Sequence, residues 1–178
     1  TQVIQDAVSR QRMDGHWVTT FERDFAGYMK HRYGVMCNSG SSANLLALAA
    51  LELPKGSEVL TCAVNFPTTV NAIIQLGLVP VFVDADPKTL NAKCLDYPAA
   101  ALVIAHTLGN PCAIPDDWNS TRIVEDVCDA LGSTINGQTV GQRGVMATMS
   151  FYPAHHMTTE EGGMIVTSQP KLRKVLES

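Results

Sequence analysis

Three things are scarce in this sequence, and each scarcity excludes a class of function. Charged residues make up only 17% of the 178 residues, and no basic cluster stands out from a formal net charge of −4. A nucleic-acid partner, which needs a basic footprint, is therefore not expected. Long apolar runs are also missing. A membrane helix needs roughly 18–20 consecutive apolar residues. The nearest stretch, Val35 to Leu53, is broken by Asn38-Ser39-Gly40-Ser41-Ser42 and by Asn44, so no membrane partner is expected. Cysteine is sparse and irregular, at 37, 62, 94, 112 and 128, with no CxxC pair. That spacing speaks against a zinc ribbon, and the odd count against a disulfide framework. The expected setting is the reducing cytoplasm. The start, Thr1-Gln2-Val3-Ile4-Gln5-Asp6, has neither a basic beginning nor a secretory apolar core, and with no initiator Met the chain reads as a fragment.

What is present suits one globular core. The hydrophobic share is 46% and the chain is long enough to bury it. Phe21 to Tyr33 has apolar residues at 21, 25, 28 and 29, which is helical spacing. Asn38 to Ser42 is a small polar loop, and Ala43 to Leu53 an Ala/Leu-rich helix closed by Pro54-Lys55-Gly56. Strands are expected at Glu58–Ala63, Val79–Val83, Ala100–Ala105, Arg122–Val124, Met146–Phe151 and Met164–Thr167. Helices are expected at Thr68–Leu76 and from Pro170, and Asn136-Gly137 signals a hairpin. Short apolar strands alternating with helices predict an α/β domain with a mainly parallel sheet. Ligands of such sheets bind beyond the carboxyl ends of the strands. Asp84, His106, Asp126 and the stretch after Phe151 sit at such ends.

Five constellations there could carry chemistry. Asn38 to Asn44 opens a helix with small residues, so free backbone N–H groups and the helix dipole favour an anion. The bland alternative is an ordinary serine N-cap. Ile123-Val124-Glu125-Asp126 ends a strand on a carboxylate that can face a protonated ring nitrogen; alone, a solvated acidic loop explains it as well. Ser150 to His156 carries two adjacent histidines, and a lone histidine is usually structural. Phe66 begins a helix and could stack on a planar cofactor, although core packing is the commoner fate of an aromatic. Glu160-Glu161-Gly162-Gly163 permits positive φ or close approach to a ligand, or is simply a turn.

Taken together, NSGSSANLLALAAL (38–51), NFPTTVNAIIQLGLVPVFVDAD (65–86), IVEDVCDALGS (123–133) and SFYPAHHMTTEEGG (150–163) resemble the DegT/StrS family of sugar aminotransferases. The resemblance runs in family order over nearly the whole chain. It implies an aspartate-aminotransferase-like (type I) fold, with residues 1–178 forming the cofactor-binding large domain and the C-terminal small domain absent. It implies pyridoxal 5'-phosphate or pyridoxamine 5'-phosphate as cofactor. Gly40, Ser41, Ser42 and Ser150 would hold its phosphate, Phe66 would stack on the pyridine ring, and Asp126 would pair with the ring nitrogen. Asp129 stands where relatives often carry Gln or His, near the ring hydroxyl.

The decisive departure is His155, which stands where family aminotransferases carry the lysine that links covalently to the cofactor. No lysine lies between Lys93 and Lys171. Histidine cannot make that link, but it moves protons near neutral pH. SFYPAHH, AHTLGNP (105–111) and EDVCDALGS resemble the 3-dehydrase branch of the family. That branch implies C3 dehydration of a nucleotide-linked 4-keto-6-deoxyhexose for the 3,6-dideoxysugars of lipopolysaccharide, with His155 as the base. It also implies a homodimer and an electron-donating reductase. Cys128 would be one [2Fe–2S] ligand, its fellow ligands lying beyond Ser178; the bland reading is a small buried residue. The alternatives are a pyridoxal-phosphate-dependent nucleotide-sugar aminotransferase, a glutamate-dependent metal-free 3-dehydratase, and a non-catalytic homologue. Two departures bear on the site: relatives commonly read Gly-Glu-Gly-Gly at 160–163, and a short Gly-containing stretch is missing between Thr20 and Phe21.

Overall fold

A computed structural model describes residues 15–178. Helix α1 (His16–Tyr28) precedes β1 (Tyr33–Cys37) and α2 (Gly40–Ala49). Then come β2 (Glu58–Cys62), α3 (Pro67–Gln75), β3 (Val79–Val83), β4 (Ala101–Ala105) and β5 (Ile123–Asp126). A small hairpin, β6 (Thr134–Ile135) and β7 (Gln138–Thr139), leads to β8 (Met146–Ser150), β9 (Gly163–Thr167) and α4 (Pro170–Leu176). Seven strands form one sheet in the order β1-β9-β8-β5-β4-β2-β3. Neighbours from β3 to β8 are parallel, and β9 runs antiparallel to both β8 and β1. The expected α/β fold with a mainly parallel sheet is therefore present.

Strand alternation divides the core between two faces. Val59, Val103, Val124, Met146 and Ile165 pack beneath α2 and α3, together with Ala43, Ala47 and Leu48 of α2. On the opposite face, Ala147, Met149, Met164 and Val166 meet Phe25, Ala26 and Met29 of α1. Farther along that face, Leu60, Leu102, Ile104 and Ile123 are covered by Leu95, from the segment between β3 and β4, and by Cys112 and Trp118, from that between β4 and β5. Burial on both faces explains why β4 reads as a continuous apolar run.

Most expected elements fall within two residues of their observed bounds, and three expectations are corrected. The helix read over Ala43–Leu53 starts at Gly40, inside the expected polar loop, and ends at Ala49. The helix read over Phe21–Tyr33 stops at Tyr28, and β1 replaces its tail. Lys30 takes a left-handed φ of 62°, with His31 N–H donating to Ala26 O (2.8 Å) and Lys30 N–H to Gly27 O (3.1 Å). That is a glycine-type C-terminal cap made without glycine, so its usual sequence signal is missing. The strand read from Arg122 begins at Ile123, because Ser120–Arg122 forms a 3₁₀ turn capped by Asn119. Thr20 and Phe21 both lie within α1.

Candidate active site

The carboxyl ends of β2, β4, β5 and β8, and the loop entering α2, surround a cleft of about 630 Å³. That size suits a small-molecule site. Gly40, Ser41, Phe66, Asp126, Asp129, Ser150 and His155 all line it, and Cys128 does too. Residues far apart in sequence thus meet only through the sheet. Asp84 does not join them: it lies exposed after β3 at the sheet edge.

Ser39 is the N-cap of α2, accepting a hydrogen bond from Ser42 N–H at 3.2 Å. Its Oγ also donates to Ser42 Oγ at 3.2 Å. Ser42 does not line the cleft, whereas Ser39 does, and the Ser42 hydroxyl, an acceptor in that contact, keeps its own proton free to donate. The amides of Gly40 and Ser41, first in the helix, have no intrahelical acceptor by geometry. Close packing brings them to the end of β8. A Cβ on Gly40 would lie 2.6 Å from Ser150 Cβ, and one on Gly163 would collide with the Ser39 carbonyl. Two N–H groups and the Ser150 hydroxyl so form a small cradle at a helix N-terminus, which fits a phosphate.

Asp126 ends β5 and is 7% exposed. Its Oδ2 accepts from Asn44 Nδ2 (2.8 Å) and Thr69 Oγ1 (3.1 Å), and its Oδ1 from Cys128 N–H (3.1 Å). Asn44 is oriented in turn by Thr148, whose Oγ1 donates to Asn44 Oδ1 at 2.6 Å. Sequence reading missed Asn44, Thr69 and Thr148 as functional residues. One signal was available: Asn44 is a polar residue on the apolar face of α2, beside Ala43, Ala47 and Leu48.

His155 sits in the turn after β8, its N–H donating to Tyr152 O at 3.0 Å. Its Nδ1 is 3.1 Å from Asp129 Oδ1, so Asp129 faces the histidine. His156 points elsewhere and is exposed. No lysine is among the described residues lining the cleft. Phe66, the N-cap of α3, is 70% exposed on the cleft wall. Core packing is thus not its role, and a bare aromatic face in a cleft fits stacking on a planar ring.

Cys128 is the one cysteine lining the cleft. Burial, then the charges of Asp126 and Asp129, push its thiol well above the ordinary range. Among the described residues no group of three or more His, Cys, Asp or Glu side chains is arranged to hold a metal. These residues do not build an iron–sulfur site by themselves. No helix among them is long and apolar enough to cross a membrane.

Residues 1–178 match the DegT/DnrJ/EryC1/StrS aminotransferase family. The chain belongs to this family. It is 46% identical to a dTDP-4-dehydro-2,6-dideoxy-D-glucose 3-dehydratase of Saccharopolyspora spinosa, over 99% of the chain and 42% of that protein. It is 44% identical to a lipopolysaccharide biosynthesis protein of Salmonella typhimurium, over 93% of the chain and 44% of that protein. Its fold superposes on an E. coli GDP-4-keto-6-deoxy-D-mannose-3-dehydratase with bound hydrated pyridoxal phosphate, at TM-score 0.87 and 33% identity, over 99% of the chain and 50% of that structure. The chain spans about half the length of these relatives. The first alignment covers 195 positions, more than the 178 residues of this chain, so that relative carries residues missing here.

Proposed function

We propose that this chain is the cofactor-binding part of a pyridoxamine 5'-phosphate-dependent enzyme that removes the C3 hydroxyl of a nucleotide-linked 4-keto-6-deoxyhexose. One observation carries the reading: a buried carboxylate, Asp126, and a histidine, His155, line one cleft that no lysine lines. The names of the relatives support the substrate class. When bound, the cofactor supplies an amine for the C4 ketone and a ring that accepts electrons.

The chain's own residues do the rest. The amides of Gly40 and Ser41 and the hydroxyl of Ser150 hold the phosphate. Phe66 stacks on the ring and shields one face from water. Asp126, aimed by Asn44 and Thr69, keeps a proton on the ring nitrogen. Asp129 accepts the Nδ1–H of His155 and so leaves Nε2 as the basic nitrogen. His155 Nε2 would be the group that takes a proton from the cofactor's methylene carbon.

For the whole protein we propose a homodimer in the cytoplasm; five unpaired thiols suit a reducing compartment. We carry Cys128 as one ligand of a [2Fe–2S] cluster completed by residues outside this chain and served by a reductase. Iron and sulfide in anaerobically purified full-length protein, lost in Cys128→Ser, would support that role. Full turnover by iron-free protein with glutamate alone would replace it with the metal-free dehydratase.

The central test uses full-length protein loaded with pyridoxal phosphate and reduced with borohydride. No cofactor should become fixed to lysine, and a 4-keto-6-deoxyhexose nucleotide should lose its C3 hydroxyl when pyridoxamine phosphate is supplied. A phosphopyridoxyl-lysine required for turnover would sink the reading.

A further inference from the structure

Leu108 lines the same cleft in a costly conformation. Its backbone is left-handed, at φ 53° and ψ 33°, a region that a leucine enters only against a steric clash at Cβ. Its side chain is 76% exposed, more than any other large apolar side chain among the described residues. Neither local preference nor burial accounts for that pose.

The surroundings enforce it. Asn91, 4% exposed, brackets the turn. Its Oδ1 accepts from Thr107 N–H at 3.0 Å, and its Nδ2 donates to Asn110 O at 2.9 Å. Asn110 Nδ2 donates to Thr89 O at 3.1 Å. Ser133 Oγ donates to Gly109 O at 2.7 Å, and Cys112 N–H to His106 Nδ1 at 2.9 Å. The turn also lies against the backbone of Asp129, since a Cβ on Gly109 would come 3.0 Å from Asp129 O. A strained residue over-determined by its neighbours, at a cleft, marks a functional constraint. Here the constraint presents one apolar side chain to whatever occupies the cleft.

We infer that Leu108 is a specificity residue for the sugar, meeting the methyl group that distinguishes a 6-deoxyhexose from its parent hexose. This rests on the reading above. Ser150, Asp126 and His155 give the cleft its polar lining, whereas the Thr107–Gly109 turn contributes the exposed apolar side chain of Leu108. A leucine there gives a hydroxymethyl no hydrogen-bond partner and leaves its hydroxyl desolvated. The 6-deoxy sugar is accepted without that cost.

Calorimetric titration of full-length, pyridoxal-phosphate-loaded protein without glutamate tests this. The ligands are two stable pairs: dTDP-6-deoxyglucose with dTDP-glucose, and GDP-6-deoxymannose with GDP-mannose. The wild type should favour the 6-deoxy member of at least one pair by about tenfold or more. Leu108→Asn should erase that preference while Tm stays level or rises, because asparagine tolerates the left-handed pose. Leu108→Met, which keeps an apolar contact, should retain the preference. An unchanged preference in Leu108→Asn would overturn the inference, all the more if sedimentation showed a weakened dimer, since Leu108 would then serve the subunit contact. If the wild type bound none of the four, nor the CDP-linked and UDP-linked 6-deoxyglucose, the nucleotide-sugar reading itself would fall and Leu108's role with it.

Discussion

Glu125 and Asp126 are adjacent on β5 and nearly fully buried, at 2% and 7% exposure, yet they serve opposite ends. Alternation turns them to opposite faces of the sheet. Glu125 Oε2 accepts from His106 Nε2 (3.0 Å) and Gly141 N–H (2.9 Å), and its Oε1 from Gly144 N–H (2.6 Å). Cys112 N–H donates to His106 Nδ1, so the proton of that imidazole sits on Nε2 and the ring is neutral. The contact is thus a hydrogen bond from a neutral ring to a carboxylate. Burial alone would raise the Glu125 pKa, but the bonds from His106, Gly144 and Gly141 hold it below the ordinary value. Of the partners of Glu125, Gly141 and Gly144 lie away from the cleft, and only His106 reaches its lining. Asp126 is held by side chains of α2 and α3 and borders the cleft. A carboxylate saturated by scaffold donors fixes loops; one held from behind, with an edge toward a cleft, is available to a ligand.

The sharpest way to break this comparison is to remove each carboxylate. Glu125→Ala should destabilise the protein by about 3–5 kcal/mol, since it strands two amides and an imidazole N–H in the interior. Asp126→Asn should cost less stability, because Asn44 and Thr69 still find an acceptor and Cys128 N–H alone loses one, yet weaken cofactor binding. Urea midpoints of the two variants measure this, and equal losses of stability would erase the distinction. Next in size, His155→Asn should slow proton exchange at the cofactor's methylene carbon by about 10²–10⁴-fold. Cofactor affinity should be retained, as followed by deuterium wash-in and by titration. Wild-type exchange rates in that variant would move the base elsewhere.

The difference between the two carboxylates also explains what could be read in advance. Strands β2, β3, β4, β8 and β9 were legible because β-branched and apolar runs bounded by turns have few other solutions. The end of the short Ile123–Val124 run pointed to Asp126, whereas His155 stood out only through the resemblance to the family. The partnership of Asn44 and Thr69 with Asp126 was not legible, since 82 and 57 residues separate them in sequence and only the crossing of α2 and α3 over the sheet joins them. Strand β1 was missed because its preceding helix ends on Lys30 instead of glycine. Glu125 looked like a twin of Asp126; its role depends on a loop 16 to 19 residues downstream.

A smaller effect follows from pH. The folded pKa of Glu125 is depressed below its ordinary 4.5. Its contribution to stability is therefore complete above that value and is lost as pH falls toward the folded pKa. The stability gap between wild type and Glu125→Gln should narrow below about pH 4.5 and stay flat above it. Urea melts across pH 3–7 would show this, and a gap that widened on acidification would reverse the assignment.

The smallest effect concerns backbone strain, where the same contrast recurs. On the scaffold side the left-handed position next to Glu125 is a glycine, Gly141 at φ 88°. A Cβ there would crowd Met29, Ala147 and Val127 at 3.0–3.2 Å, so glycine is the residue that fits. At the cleft rim the left-handed positions are Leu108 and Glu160 (φ 69°), both with side chains. Glu160 is exposed, and its N–H donates to the Thr158 hydroxyl at 3.1 Å. Relief of a left-handed residue is worth about 1–2 kcal/mol, against about 0.5–1 kcal/mol of added chain entropy for glycine. Glu160→Gly should therefore stabilise the protein by about 0.5–1 kcal/mol, seen as a higher urea midpoint at unchanged slope. Gly141→Ala should do the opposite. If Glu160→Gly also left nucleotide-sugar affinity intact, the strain at Glu160 would be incidental and Leu108 alone would mark the functional rim. If affinity fell while stability rose, the carboxylate beside Glu161 would belong to the cleft as well.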